Sequence, residues 1–250
     1  MTSSFGPETT SGCGESRTLF SSAPDFAETA GRVRACRLCR EAPRHGPPLP
    51  VEPRPIVQGT SRARICIASQ APGNRAFQSG VPFQDPSGKR LREWLGLGEP
   101  AFYDPDLVAI VPMGACFPGH DAKGGDLPPR RECAETWRAP LLAGLPDLEL
   151  VLLIGQYAQA WHLGRRPGGL TSTVARWREI VSEPRRPRLL PLPHPSWRNT
   201  PWLRKHPWFE AELLPVLREE VARLAREVGR GHRQDDRRPD VEGERRRPVT

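Results

Sequence analysis

The sequence predicts an α/β fold: a three-layer α/β/α sandwich built on a central, mainly parallel four-stranded sheet. Two observations carry this. Four short apolar runs, at residues 65–68, 107–111, 150–154 and 189–192, recur along the chain. Each is near-continuous rather than alternating, which suits strands covered on both faces. Segments with helical spacing fall between the runs, and that alternation builds a parallel sheet with helices on its two sides.

The helices follow from caps and periodicity. Ser87 is placed to cap a helix through Leu97 that carries Leu91, Trp94 and Leu95 on one face. Pro128 and Pro129 precede a helix over about residues 130–145, which Pro140 should kink. Two shorter helices are expected over 156–163 and 173–181. The last runs from about Pro207 to Val228, turning Phe209, Leu213, Leu217, Val221 and Leu224 inward. No internal repeat is present.

Only 37% of the 250 residues are hydrophobic, and the two ends account for the deficit. Residues 1–24 are rich in Ser, Thr and Gly, while 229–250 hold almost no large apolar side chain. Neither end buries enough surface to offset its ordering entropy, so both are expected to be disordered tails around one domain at 25–228. The formal net charge is +8. The first 28 residues carry four acids against one arginine, so the positive charge belongs to the folded body and suits a nucleic-acid backbone. No apolar run is long enough to span a bilayer, and the N-terminus has no basic region followed by an apolar one. A cytoplasmic monomer is the expectation, with DNA as partner and no membrane.

The unusual residues collect after the strands. Ser69-Gln70-Ala71-Pro72-Gly73 follows the first, Met113-Gly114-Ala115-Cys116 the second, Gly155-Gln156 the third and His194-Pro195-Ser196 the fourth. If the strands are parallel, all four segments meet at the carboxyl edge of the sheet, where open α/β sheets bind ligands. His194 there can donate to an oxygen, Asp85 can orient water or offset a cation, and Phe83 can stack on a base. That set is what hydrolysis of an N-glycosidic bond requires. Other readings remain open at this point: Asp85 as a helix N-cap, Phe83 as a core residue, and Trp202, Trp208 and Phe209 as docking residues of the last helix. Trp197 and Arg198, an aromatic next to a cation after His194, suit a wedge and a phosphate contact. Cys36-x-x-Cys39 with Cys116 and Cys133 can hold an iron–sulfur cluster or zinc. Cys66 reads as a buried strand residue and Cys13 as a tail residue without a role.

Two segments resemble the paired active-site motifs of uracil-DNA glycosylases. Gln70-Ala71-Pro72-Gly73 is similar to the Glu-Ala-Pro-Gly of the thermostable family 4 enzymes. Asp85-x-Ser87-Gly88 and His194-Pro-Ser-x-x-Asn199-Thr200 look closer to the broad-specificity family 5 (type-b) enzymes. The resemblance covers roughly residues 33–225. It implies a monofunctional enzyme of base-excision repair that removes uracil or another deaminated base from DNA. By the same resemblance Asp85 and His194 are catalytic, Gln70, Ala71, Pro72, Gly73, Phe83 and Asn199 surround the base, and Ser196, Trp197 and Arg198 meet DNA. Cys36, Cys39, Cys116 and Cys133 would hold a [4Fe-4S] cluster, zinc being the alternative. No lysine stands in either motif to form a Schiff base, and Lys89 should point along its helix.

Three positions depart from the family pattern, one of them Trp197, where many relatives have Pro before the wedge residue. Family 4 enzymes read uracil with an Asn four positions before the third cluster cysteine, and here that position is Pro112. Ala71 stands where other families place a water-activating Asp or Asn. The departure at Pro112 implies looser base selection; the one at Ala71 puts weight on Asp85. The rival reading is a DNA-binding relative that senses or shields damage without excising. An unrelated nucleotide-binding protein ranks last, because neither glycine-rich phosphate loop is present.

Overall fold

The computed structural model describes residues 25–165 and 167–235. The expected N-terminal tail, with Cys13, and residues 236–250 lie outside the described residues. Strands β1 (Ile65–Ala68), β2 (Val108–Ile110), β3 (Leu150–Ile154) and β4 (Arg188–Leu192) form one sheet in the order β2-β1-β3-β4. Every pairing is parallel: Ile65 faces Val108 on one side and Leu150 on the other, and Leu150 faces Arg188. Pro191 is tolerated inside β4 because β4 is an edge strand, where a missing N–H costs no ladder bond.

Alternate strand residues point to opposite faces and define two cores. Ile65, Ile67, Ile110, Leu152 and Leu190 pack with Leu91, Trp94, Phe102, Phe209, Leu217 and Val221. Cys66, Ala68, Ala109, Val151 and Leu153 pack with Phe26, Val33, Leu141 and Ala158. The first face is covered mainly by α4 (Pro86–Leu95), α5 (Glu99–Phe102) and α12 (Leu214–Asp235), the second by α1 (Phe26–Arg34), α7 (Ala139–Ala143) and α8 (Gly155–Leu163). The short helices α2 (Leu38–Glu41), α3 (Asn74–Ser79), α6 (Arg131–Cys133), α9 (Gly169–Ala175), α10 (Trp177–Ser182) and α11 (Thr200–Lys205) complete the layers. The three-layer α/β/α sandwich read from the sequence is the observed architecture. Trp202, Trp208 and Phe209 pack against the first core, as the docking reading of these residues has it.

Several local expectations are corrected. Asp85, not Ser87, caps α4, with its Oδ1 accepting from the Gly88 N–H at 2.8 Å. Asp85 has extended backbone and precedes Pro86 at the first helical position, the arrangement a cap needs. Around Pro140 the expected single helix is not regular. The five residues before α7, Ala134–Arg138, widen into a π turn. A proline supplies no N–H to the carbonyl four residues back and its ring crowds that oxygen, so the wider turn relieves both faults. The same device recurs at Phe209–Leu213, just ahead of Pro215 in α12. The helix expected over 173–181 is two, broken at Arg176.

Helix α12 runs to Asp235, past the expected end at Val228, so residues 229–235 belong to the helix rather than to a disordered tail. Its apolar face lies in the first core, and polar contacts add to it along the exposed side and past Val228. His232 meets Asp106 at 3.0 Å, and Arg223 bridges Glu149 at 2.8 Å and Glu227 at 2.6 Å. Arg64 pairs with Glu149 and Glu227, and Arg188 with Glu220. Arg64, Glu149 and Arg188 all stand at the amino ends of strands, so this network braces one edge of the sheet and leaves the carboxyl edge free for chemistry. No helix among the described residues is long and apolar enough to cross a membrane.

The π turn before α7 sends Arg138 into the core, where its side chain is buried without a carboxylate. Its Nη1 donates to the Val111 carbonyl at 2.8 Å, and its Nε donates to His162 Nε2 at 3.1 Å. His162 must therefore stay neutral to accept. Burial, helped by the Arg138 charge, pushes its pKa from 6.5 down to about 3. The folded state refuses a proton that the unfolded chain takes below 6.5, so this site loses stability as pH falls toward 3. His162→Gln keeps an acceptor without the titration. It should start less stable near neutrality, and the Tm gap to wild type should close by about 5 °C between about pH 7 and about pH 4.5 in thermal melts.

Candidate functional site

The strand order places a topological switch between β1 and β3: the chain leaves β1 for one side and later returns to the other. The crevice outside the carboxyl ends of these strands is where the predicted residues gather. The loop after β1 is zipped to the loop after β2, the Met113 N–H donating to the Ser69 carbonyl at 2.8 Å and the Gly114 N–H to the Gln70 carbonyl at 3.0 Å. Gln70, Ala71 and Pro72 are thus held half-buried at the sheet edge, and Gly73 starts α3.

The segment from Gly80 to Gly88 folds back tightly. Phe83 has φ 57°, a left-handed conformation that a bulky residue adopts only where its surroundings impose it. Its carbonyl lies so close to Gly88 that a Cβ there would sit 1.7 Å from the oxygen. The Phe83 ring is half-buried edge-on against Phe102, with centroids 6.0 Å apart. Tyr103 donates its hydroxyl to the Pro82 carbonyl at 2.9 Å, and Arg54 donates to the carbonyls of Phe77 and Gln78, both at 2.7 Å. The bend presents Asp85, whose Oδ1 is used as the cap.

His194 follows β4 by two residues. Its Nδ1 accepts from the Ser196 backbone N–H at 3.2 Å. The neutral ring therefore carries its proton on Nε2, pointed away from its own loop. Burial lowers the His194 pKa below 6.5, opposed by the nearby charges of Asp85 and Asp126. Neutral imidazole is the form present near pH 7, and it is a hydrogen-bond donor at Nε2. Gly155, the residue after β3, stands beside His194: a Cβ there would come within 3.9 Å of the His194 Cβ.

Asn199 and Ser196 are occupied inside the loop. The Asn199 amide donates to the His194 carbonyl at 2.8 Å, and the Ser196 hydroxyl accepts from the Arg198 N–H at 3.1 Å, capping the 3-10 turn Trp197–Asn199. Both shape the loop that aims His194. Trp197 is 73% exposed, and the exposed Arg198 holds its guanidinium 5.9 Å from the ring centre.

Sequence reasoning missed Arg90. From α4 it donates to the Pro195 and Ser196 carbonyls at 3.4 and 3.1 Å and reaches the Thr200 hydroxyl at 3.4 Å, tying the helix capped by Asp85 to the loop of His194. Nothing in the sequence near Arg90 announces a partner 105 positions away. Also missed was Asp126, on a hairpin closed by a His120–Asp126 bridge. The run Lys123-Gly124-Gly125-Asp126 is a turn signal that could have pointed to an ordered loop.

The four cysteines come together. Cys36 follows α1, Cys39 is in α2, Cys116 lies in the loop after β2, and Cys133 ends α6; all four line one small cavity with Val33, Trp137 and other residues. Trp137 donates its indole N–H to Cys36 Sγ and the Ala115 N–H donates to Cys133 Sγ, each at 3.2 Å. Burial pushes the thiols of Cys116 and Cys133 up to about 12 and that of Cys39 to about 11, with neighbouring sulfurs contributing. Only as thiolates would the four sulfurs call for a positively charged occupant. Among the described residues no group of three or more His, Cys, Asp or Glu side chains is arranged to hold a metal ion. Cys66 is fully buried in the sheet, as expected. A family model described as the uracil DNA glycosylase superfamily matches residues 56–218, well over half of the chain, and spans both motif loops.

Proposed function

The chain belongs to the uracil DNA glycosylase superfamily, and from this we propose that it is a monofunctional DNA glycosylase hydrolysing the N-glycosidic bond of uracil or another deaminated base in DNA. The observation that carries the reading is His194, half-buried, neutral and with its Nδ1 taken by its own loop, within reach of the Asp85 charge. As the bond breaks, negative charge grows on the base and positive charge on the sugar. His194 donates to the base oxygen, a contact that strengthens only as charge develops. Asp85, fixed as a helix cap, offsets the cationic sugar. The Phe83 ring stacks on the extruded base, Trp197 fills the vacated place in the duplex, and Arg198 meets a phosphate.

The same proposal gives Cys36, Cys39, Cys116 and Cys133 a [4Fe-4S] cluster. Four cysteine sulfurs lining one cavity are the donor set that would hold such a cluster, with zinc as the alternative occupant. The cluster supplies a crosslink between the N-terminal helices, the loop after β2 and helix α6, and no step of the hydrolysis passes through it.

The test is excision on short oligonucleotides carrying uracil, hypoxanthine or xanthine, single- and double-stranded, followed by alkaline cleavage of abasic sites. Anaerobically purified protein should be brown and should release at least one of these bases without being trapped on DNA by borohydride. Colourless protein that still excises would remove the cluster from the proposal. Binding to every oligonucleotide with no excision of any base would favour a protein that senses or shields damage.

A further inference from the structure

The hairpin between the third and fourth cysteines is built into the site. The Asp121 N–H donates to the Gly125 carbonyl at 2.7 Å, and Asp121 Oδ1 accepts from the N–H groups of Lys123 and Gly125, both at 2.8 Å. An aromatic ladder seats it on α3: Phe77 packs on buried Phe117 at 5.7 Å between centroids, and Phe117 on His120 at 4.9 Å. His120 Nδ1 lies 3.2 Å from Asp126 Oδ1. The other carboxylate oxygen is turned to the first motif, 3.6 Å from where a Cβ of Gly73 would be. Asp126 is also one of the two carboxylates whose charge is felt by the half-buried His194. The ring of contacts from Phe77 through Phe117, His120 and Asp126 to Gly73 closes on the loop that holds Ala71.

We propose that Asp126, oriented by His120, is a second catalytic carboxylate of this site, and that it receives the proton of the attacking water. The inference rests on the glycosylase reading above. Asp85 spends one oxygen on its helix and is held rigidly by it. Asp126 is fixed through Oδ1 and keeps Oδ2 toward the crevice, with about half of its side chain open to the solvent that supplies water. In the step, a water oxygen bonds to the sugar C1′ as the C1′–N bond breaks, and the bonding pair leaves with the base while His194 donates to the base oxygen. The water proton passes to Asp126, which releases it to solvent, and the departing base anion takes up one proton from solvent, so water is the only co-reactant.

The experiment measures single-turnover excision of the preferred lesion by wild type, Asp126→Asn, Asp126→Ala and His120→Gln, with DNA affinity followed by fluorescence anisotropy. Asp126→Asn should be slower by about 100-fold and His120→Gln by about 10-fold, with affinity unchanged within about threefold. Formate should restore part of the rate of Asp126→Ala, which a merely structural carboxylate would not allow. Asp126→Asn within about threefold of wild type, or a slow Asp126→Ala that formate does not touch, overturns the proposal and leaves the glycosylase reading standing. Wild type that excises nothing removes that reading first and the role of Asp126 with it.

Discussion

His194→Ala is expected to slow excision by about 10²–10³-fold, the range for deleting one preorganised donor to a developing anion. The geometry sets the size of the effect. The Ser196 N–H occupies Nδ1, so the single ring proton sits on Nε2 without rotation or tautomer exchange during the reaction. The loop carrying the ring is held by Asn199 at the His194 carbonyl and by Arg90 at the next two carbonyls. A water entering the space left by His194 has none of this fixed orientation. The pH dependence follows from the same burial. A pKa lowered below 6.5 keeps the ring neutral through the neutral range, so the rate should show no acid limb from this group until the pH falls below 6.5. The check is single-turnover rate against pH for wild type and variant. A wild-type profile that declines with a midpoint above 6.5 and is absent in His194→Ala would contradict the neutral-donor assignment.

Gly88→Ala is expected to damage folding and excision together, costing about 3 kcal/mol or more. The added methyl would lie 1.7 Å from the Phe83 carbonyl oxygen and 2.6 Å from its carbon, and both are backbone atoms. No rotamer change relieves such a contact, so the bend from Phe83 to Gly88 must open. Opening it releases Phe83 from its left-handed conformation and breaks the cap that fixes Asp85. Gly31→Ala is the control. Gly31 lies inside α1 with nothing within 4 Å of the added Cβ, and the change should stabilise by about 0.5–1 kcal/mol. Urea denaturation of the two variants, with excision measured on the same preparations, separates a general intolerance of added methyls from the specific demand at Gly88. A Gly88→Ala protein with wild-type stability and rate would mean that the bend is not as tight as described.

Periodicity determined the frame. Continuous apolar runs separated by helical segments fit only strands buried on both faces of a parallel sheet, and a parallel sheet puts every strand-end loop at one edge. Gln70 and His194 were therefore legible as neighbours at one sheet edge before any distance was known, because their segments follow strands, whereas Asp85 was legible only from its chemistry and the resemblance of its motif. The cysteines were legible as a set from their spacing. The cap at Asp85 was available as an alternative, and the structure adopts it without withdrawing the residue from the crevice.

Tertiary structure decided what depends on partners far apart in sequence. Arg90 looks like any helix-surface arginine until the loop 105 residues later turns its carbonyls toward it. Asp126 carries no pattern of its own; it gains its place from an aromatic ladder between two loops that meet only in the folded chain. The π turns ahead of Pro140 and Pro215 show how each proline is absorbed, in a widened turn that the local pattern does not announce. The extension of α12 to Asp235 depends on His232 finding Asp106, an ion pair that hydropathy does not register. Local sequence sets where the backbone turns and which faces are apolar. Polar side chains with long reach take their partners from the fold, and in this protein those choices orient the donor, the cap and the second carboxylate.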